Sequence, residues 1–213
     1  PFAESGCEIV GVDIASLRIE QARTFFARRN QKGTFIASDI FRLKDLEKHF
    51  PLILIHDVIE HIETKSKFLS GMKSYLSAGG VIFIAFPAWQ MPFGGHQQIA
   101  RGTVVSHLPF IHLLPRVLYK WILETGDEEE DTIKELLSIK ETKCTIEMFR
   151  NLVKQTGYQI VDQQLFFINP HYEVKFGLSP RKLGRVLSSI PYLRNFFSTS
   201  CFYLLKKTED KES

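Results

Sequence analysis

The chain has 213 residues, of which 44% are hydrophobic, so it can bury a core as one domain with additions, whereas two full domains would be cramped. Its 27 basic and 24 acidic side chains are interspersed and give a net charge of +3, which argues against a dedicated nucleic-acid-binding protein. Cys7, Cys144 and Cys201 are widely separated, which favours a reducing cytoplasm over a disulfide framework, and we expect no metal site. No apolar run is long enough to span a bilayer, and no signal peptide is recognisable.

The first segments alternate between strand and helix patterns. Residues 7–15, CEIVGVDIA, predict a short strand that ends in Asp13, and the helical apolar spacing that follows begins behind Ser16 as an N-cap. Residues 33–41, GTFIASDIF, predict a second strand that reaches Asp39. Strands separated by helices of this length imply right-handed crossovers and a parallel sheet.

The third strand ends in a cluster of ionisable groups, in the sequence FPLILIHDVIEH from residue 50 to 61. Its unbroken apolar run predicts a strand covered on both faces. His56 and Asp57 follow it directly, and Glu60 and His61 come within the next four positions. Ligands bind beyond the carboxyl ends of such strands, so these residues are candidates for a site, with helix capping and a solvated first turn as the alternative.

The rest of the chain continues the pattern with two interruptions. A helix after His61 is predicted to end at Gly79-Gly80, before the buried strand of residues 81–89. We predict a single domain over residues 1–213 with a core of residues 1–89 and 145–207 and helical insertions at 90–144 and 169–199. The expected fold class is α/β: a Rossmann-like, doubly wound, mostly parallel sheet with a final antiparallel strand pair, on which the insertions form a cap.

Two carboxylates at strand ends suggest nucleoside chemistry. Asp13 stands where an acid can accept hydrogen bonds from the two hydroxyls of a ribose, and its alternative is a capping or turn aspartate. Asp39 can accept from an adenine amino group, or it can be an ordinary turn residue.

Taken together, the segments GVDIA, ASDIF, HDVIEHI and LSAGGVIFIAFP resemble the successive motifs of class I S-adenosylmethionine-dependent methyltransferases. The resemblance covers roughly residues 1–88 and returns at 145–207. It implies S-adenosylmethionine as the cofactor and a cytoplasmic enzyme. It further implies the cofactor contacts, which are Asp13 for the ribose, with Ile14 beside it, Asp39 with Ile40 for the adenine, and His56 with Asp57 for the methionine portion.

The sequence departs from the family pattern in two places. The glycine-rich loop that follows the family's first strand is not found, and the segment PFAESGCE looks like the end of the helix after that loop. We therefore expect the natural polypeptide to be longer by about one βα unit. Pro51 stands where the family usually has an acid, and a proline is tolerable there because it begins the strand.

Methyl transfer from a sulfonium mainly requires proximity, alignment and exclusion of water, and a general base is needed only for a poorly ionised acceptor. His61, His56 and His96 are the candidates for such a base, and each can equally be a structural histidine. The segment GGHQQ follows the strand that ends near Pro87, so we rank His96 first as a catalytic residue on the acceptor side, with Gln97 beside it, and His61 second.

The insertions are expected to select the acceptor. SHLPFIHLLPRVLYKWILE and SPRKLGRVLSSIPYLRNFF mix apolar and aromatic residues with Arg and Lys, as in a lid over an apolar pocket or a helix on an anionic membrane, although plain cap helices fit as well. The first two interpretations predict a small hydrophobic or lipid-linked acceptor and peripheral membrane contact. Two alternative functions are a nicotinamide-dependent Rossmann enzyme and a non-catalytic methyltransferase-like binding module.

Overall fold

A computed structural model describes residues 1–43, 46, 49–126 and 128–208. The chain divides into two compact units, residues 1–48 and residues 49–213. Both contain parallel strands joined through helices, and the second contains the antiparallel strand pair. The predicted α/β fold class is therefore confirmed.

The first unit is a small parallel βαβ structure. It consists of β1 (Val10–Asp13), α1 (Ser16–Arg28) and β2 (Thr34–Ala37). The two strands pair in parallel with Asp13 opposite Ala37, so their carboxyl ends lie at the same edge. The N-cap of α1 is Ala15, and the predicted cap, Ser16, is instead the first residue of the helix. The Asp13 side chain accepts the Ala15 amide at 2.8 Å just before the helix.

The second unit is built on a five-stranded mixed sheet with the order β3-β4-β7-β5-β6. Its strands are β3 (Phe50–His56), β4 (Leu76–Phe86), β5 (Tyr158–Ile168), β6 (Arg181–Lys182) and β7 (Ser200–Lys207). The pairing of β3 with β4 is parallel, whereas β7 is antiparallel to both β4 and β5. Thus β3, β4 and β5 share one direction, and the last strand of the chain is inserted between β4 and β5 as the predicted antiparallel partner.

Helices connect the strands and fill the two long interruptions. The helices of this unit are α2 (Lys65–Met72), α3 (Thr103–His107), α4 (Arg116–Thr125), α5 (Glu130–Thr142), α6 (Ile146–Gln155), α7 (His171–Phe176), α8 (Arg185–Ser189) and α9 (Arg194–Phe197). Three of them, α3 to α5, lie between residues 90 and 144, and α7 to α9 lie between residues 169 and 199. The helical nature predicted for both insertions is therefore observed.

An aromatic cluster packs α6 against the sheet. The rings of Phe86 and Tyr203 are stacked at 5.9 Å, and Phe149 from α6 contacts both at 4.8 and 4.7 Å. Helix α6 begins with a side-chain cap, because Thr145 Oγ1 accepts the amide of Met148 at 3.1 Å. All three rings are buried, so this cluster fixes the strand end that precedes the loop at residues 87–99.

The insertion of residues 90–144 has a core of its own. Tyr119 and Leu123 from α4 pack with Leu136 from α5, and none of the three is exposed. Lys140 Nζ donates to the carbonyl oxygens of His112 and Leu114 at 2.7 and 2.8 Å, which ties α5 to the preceding loop. Such packing indicates a preformed helical layer rather than a loose connection.

Two predictions about the strands are wrong. The helix after His61 does not run to the glycine pair, because β4 already begins at Leu76 and includes Gly79 and Gly80. Gly79 has φ +72, and a Cβ on Gly80 would lie 3.0 Å from the Phe50 carbonyl oxygen, so the pair forms an irregular strand segment that closely approaches β3. Nor is β3 covered on both faces: Ile55 is buried, but Leu54 is 53% exposed.

Among the described residues, no helix is long and apolar enough to cross a membrane.

Candidate active site

The two predicted nucleoside contacts lie at one edge of the first unit. Asp13 is the last residue of β1 and Asp39 follows β2 by two positions, and the Ser38 amide donates to the Asp13 carbonyl oxygen at 3.0 Å. Each carboxylate accepts a backbone amide two residues on: Asp13 that of Ala15 at 2.8 Å and Asp39 that of Phe41 at 2.9 Å. Both are turn aspartates with one carboxylate oxygen held, which leaves the second oxygen of each for a ligand.

An arginine lies near each of the two carboxylates, but beyond hydrogen-bonding distance. Arg18 is 3.8 Å from Asp13, and Arg42 is 3.8 Å from Asp39, and both guanidinium groups are largely exposed. Ile14 is 78% exposed, whereas Ile40 is partly buried. An exposed isoleucine beside a strand-end acid offers an apolar surface to a ligand ring, which is compatible with the predicted role of Ile14.

In the second unit, His56 ends β3 and Asp57 follows it with a left-handed backbone, φ 51. The Asp57 amide donates to the Ala85 carbonyl oxygen at 2.9 Å, so the turn is held against β4. His56 Nδ1 lies 3.1 Å from Asp57 Oδ2, and this hydrogen bond raises the pKa of His56. Both side chains are about half exposed, with 50% and 49% of their surfaces accessible, so they remain available to a ligand.

Glu60 is buried, which excludes the solvated first turn that the sequence offered as the alternative to a site. It is 3% exposed in a 3₁₀ turn, Ile59–His61, that follows Asp57. Burial is the main cause that raises its pKa to about 8. Neither of its carboxylate oxygens accepts a hydrogen bond from the described part of the chain. A buried carboxylate without a partner is costly for a fold, and therefore indicates a function.

His96 reaches the same place from the long loop after β4. It has a left-handed backbone, φ 57, and its amide donates to the Phe93 carbonyl oxygen at 3.0 Å. Its ring meets that of His61 edge to face, with centroids 5.1 Å apart, and its Nε2 is 3.8 Å from Glu60 Oε1. Burial, with a contribution from His61, lowers the pKa of His96 to about 4. The two predicted catalytic histidines therefore lie together, beside the carboxyl group of Glu60.

Gln97 does not join this cluster in the predicted way. It is fully buried, and its amide nitrogen donates to the carbonyl oxygens of Pro92 and Leu108 at 3.0 and 3.2 Å. These two hydrogen bonds hold the loop together, and the expected place of Gln97 beside the acceptor stays a prediction.

His112 is a second histidine behind the same loop. Its Nε2 is 2.8 Å from the Trp89 carbonyl oxygen, it is fully buried, and burial lowers its pKa to about 4. Gly95 leaves room for it, because a Cβ at that position would lie 2.3 Å from the His112 Cβ. His112 is thus a packing residue of the loop that carries His96.

An open cleft of about 320 Å³ lies along this loop and α7. Its lining is mainly apolar and consists of Met91, Pro92, Phe93, Gln98, Tyr172, Phe176, Leu178 and Thr199. Burial and the nearby charge of Asp57 raise the pKa of Tyr172, so the cleft extends to within electrostatic range of the end of β3. No local sequence pattern predicts that Tyr172 lies near Asp57, since 115 positions separate them.

Residues 1–82 match the sequence model of a methyltransferase domain. A ubiquinone biosynthesis O-methyltransferase of Brucella ovis is 27% identical over 85 residues, which are 40% of this chain and 34% of that protein. The chain thus spans about a third of the length of this relative.

Solved structures share the fold at low identity. An S-adenosylmethionine-dependent methyltransferase from Clostridium acetobutylicum superposes with a TM-score of 0.58 at 12% identity, over 98% of this chain and 78% of that one. The plantazolicin methyltransferase BpumL in complex with SAH gives a TM-score of 0.51 at 15% identity, over 95% and 67% of the two chains.

The strand order and the inserted last strand define a Rossmann-like fold of the methyltransferase type. Residues 1–82 thus match a methyltransferase domain, and the fold is the one shared with these solved methyltransferase structures.

Proposed function

We propose that this protein transfers a methyl group from S-adenosylmethionine to a small, hydrophobic or lipid-linked acceptor. The observation that carries the proposal is the placement of Asp13 and Asp39 at the carboxyl edge of a parallel strand pair, within the segment that matches a methyltransferase domain. BpumL, which has the same fold, has been solved with SAH, the product of such a donor. This supports S-adenosylmethionine as the cofactor here.

The proposed cofactor contacts follow the chemistry of each side chain. In the first unit, Asp13 accepts from the ribose hydroxyls with its unheld oxygen, Ile14 and Ile40 offer apolar surface, and Asp39 accepts from the adenine amino group. In the second unit, the half-exposed carboxylate of Asp57 can pair with the ammonium group of the methionine portion, and His56 orients it through their 3.1 Å contact.

The proposed acceptor site is the apolar cleft beside the His96 loop. Its volume of about 320 Å³ and its apolar lining are compatible with a small hydrophobic molecule. His61 and His96 are the proposed acceptor-side groups because they are the imidazoles that lie together beside the buried Glu60. A relative that is named for O-methylation in ubiquinone biosynthesis supports an oxygen acceptor on an apolar molecule.

The second insertion is the proposed membrane contact of an enzyme with a lipid-linked acceptor. Residues 177–196 contain four basic and no acidic side chains. Within this segment Val186 and Tyr192 are 76% and 69% exposed, and Arg181 and Arg185 are exposed as well. Exposed apolar and basic groups on one segment favour an anionic lipid surface. Co-sedimentation with anionic vesicles is the test, and binding equal to that of neutral vesicles would contradict it.

Calorimetric titration of the intact natural protein with SAH and with NAD tests the cofactor. We expect SAH to bind and NAD not to bind. The substitution Asp13→Asn should lower the affinity for SAH at least about tenfold, because a charged acceptor for the two ribose hydroxyls is lost. Glu20→Gln on the exposed face of α1 is the matched control and should leave the affinity unchanged.

Two outcomes would contradict the proposal. NAD binding in place of SAH would favour the nicotinamide-dependent enzyme. Binding of neither ligand by folded protein would favour the non-catalytic methyltransferase-like module.

A further inference from the structure

We propose that Glu60, His61 and His96 bind a divalent first-row transition-metal ion. Each side chain offers one ligand atom, and these three atoms lie within 4.8 Å of one another. The inference goes beyond methyl transfer, and it differs from the expectation of no metal site, which was based on the cysteine pattern.

The hydrogen-bonding state of the cluster points independently to a ligand. Both carboxylate oxygens of Glu60 and Nε2 of His96 are buried and make no hydrogen bond to any described residue. Buried polar atoms are nearly always satisfied, and a buried carboxyl group without a hydrogen-bond partner destabilises the fold. A bound cation would satisfy both side chains at once, because a carboxylate oxygen and an imidazole nitrogen each donate an electron pair to it.

The loop that presents His96 is fixed rather than loosely attached. Gln97 holds it from one side through the carbonyl oxygens of Pro92 and Leu108. On the other side His112 contacts the Trp89 carbonyl oxygen at 2.8 Å, under Gly95. His96 is therefore held over Glu60 by tertiary contacts on both flanks, which is the kind of support that a metal-ligating histidine requires.

The three ligand atoms must move slightly closer together to bind one ion. Metal–ligand bonds of about 2.0–2.2 Å place neighbouring ligand atoms roughly 3 Å apart. The 3.8 Å between His96 Nε2 and Glu60 Oε1 is close to this value, and the ligand atom of His61 lies within 4.8 Å of both other ligand atoms. The site needs rotamer changes of the side chains and no movement of the sheet.

The ligand set selects the class of ion. Two imidazoles and one carboxylate suit Zn²⁺, Co²⁺, Fe²⁺ or Mn²⁺, whereas Mg²⁺ and Ca²⁺ prefer oxygen ligands only. Three protein ligands leave coordination positions open, as in catalytic rather than structural sites. If the proposed methyl transfer holds, an acceptor oxygen can occupy an open position, where the ion would lower its pKa. This last step rests on the proposed function, but the metal site does not.

Cobalt titration of the chelator-treated natural protein, without cofactor or acceptor, is the test. We expect saturable binding of one Co²⁺ per chain, with a change in the visible absorption of the ion, and no comparable binding of Mg²⁺ by calorimetry. We expect Co²⁺ affinity to fall at least about tenfold in each of the variants Glu60→Gln, His61→Gln and His96→Gln. His171→Gln removes an exposed imidazole elsewhere and should leave the Co²⁺ affinity unchanged.

Folding is monitored by circular dichroism, and His61→Gln keeps the test decisive if the buried variants unfold, because His61 is exposed. Absence of saturable Co²⁺ binding, or equal affinity in folded His61→Gln and wild type, would overturn the metal site. Because no cofactor is present, this failure is distinguishable from failure of SAH to bind, which would contradict the proposed function and leave the metal site intact.

Discussion

Asp13, which ends β1 in the first unit, and Glu60, which comes shortly after β3 in the second, have opposite environments. Asp13 retains 34% of its side-chain surface and is held by a backbone amide two residues away. Glu60 retains only 4% of its side-chain surface and makes no hydrogen bond to a described residue. A turn aspartate is stabilised by its own local backbone, whereas a buried glutamate depends on groups that distant parts of the chain bring to it.

The two sites should therefore respond differently to substitutions. The Asp13 edge depends on a short parallel pair and its turns, so substitutions there should alter ligand affinity more than stability. The cluster of Glu60, His61 and His96 depends on the packing of the 87–99 loop, so substitutions behind it should alter the stability of the second unit first.

The largest effect is expected for Gly94→Ala. A Cβ at Gly94 would lie 2.2 Å from the Trp89 carbonyl oxygen, so the backbone of the loop must move. We expect a loss of about 4 kcal/mol in the free energy of unfolding, measured by chemical denaturation. Gly184→Ala is the control, since a Cβ there meets no atom within 4 Å, and it should change stability by less than about 0.5 kcal/mol. Equal effects of the two substitutions would contradict the tight packing of the loop.

Acid should destabilise the protein through His112. Its folded pKa of about 4 lies below the 6.5 of an ordinary histidine, so the unfolded state binds the proton more readily. Its contribution to stability is present above pH 6.5 and declines as the pH falls from 6.5 to 4, by up to about 3 kcal/mol. His112→Gln keeps a donor for the Trp89 carbonyl oxygen but does not titrate. Denaturation curves at several pH values should show a shallower decline for this variant, and an unchanged slope would refute the assignment.

Asp13→Ala tests the stabilising role of the other acid. It removes the hydrogen bond to the Ala15 amide at the beginning of α1, and we expect a loss of about 1 kcal/mol in thermal or chemical denaturation. Asp13→Asn retains an oxygen acceptor and should recover most of this stability while still binding SAH weakly. Identical stability of the two variants would show that the turn does not need the side-chain acceptor.

The smallest effect is expected for Arg18→Ala. Its guanidinium is 76% exposed and 3.8 Å from Asp13, and such pairs contribute little in water. We expect a change below about 0.5 kcal/mol in stability at moderate salt. A loss comparable to that of Asp13→Ala would mean that Asp13 is held by its charge partner rather than by its turn.

Local sequence patterns predicted the regular elements well. The predicted final antiparallel strand pair is observed as β5, Tyr158–Ile168, and β7, Ser200–Lys207. Both carry a β-rich composition bounded by turns or helices. The pattern failed at Gly79-Gly80, because a glycine pair marks a helix end and a close strand approach equally well, and the choice depends on the Phe50 carbonyl of the neighbouring strand.

Local sequence patterns predicted the α/β order and identified Asp13, Asp39, His61 and His96 as candidates, because strand periodicity and turn chemistry are properties of adjacent residues. Only tertiary packing buries Glu60 without a hydrogen bond to the described residues, brings His96 to it across 36 positions, and makes Gln97 and His112 hold the loop. Burial and the approach of distant side chains are products of packing, and no local pattern encodes them.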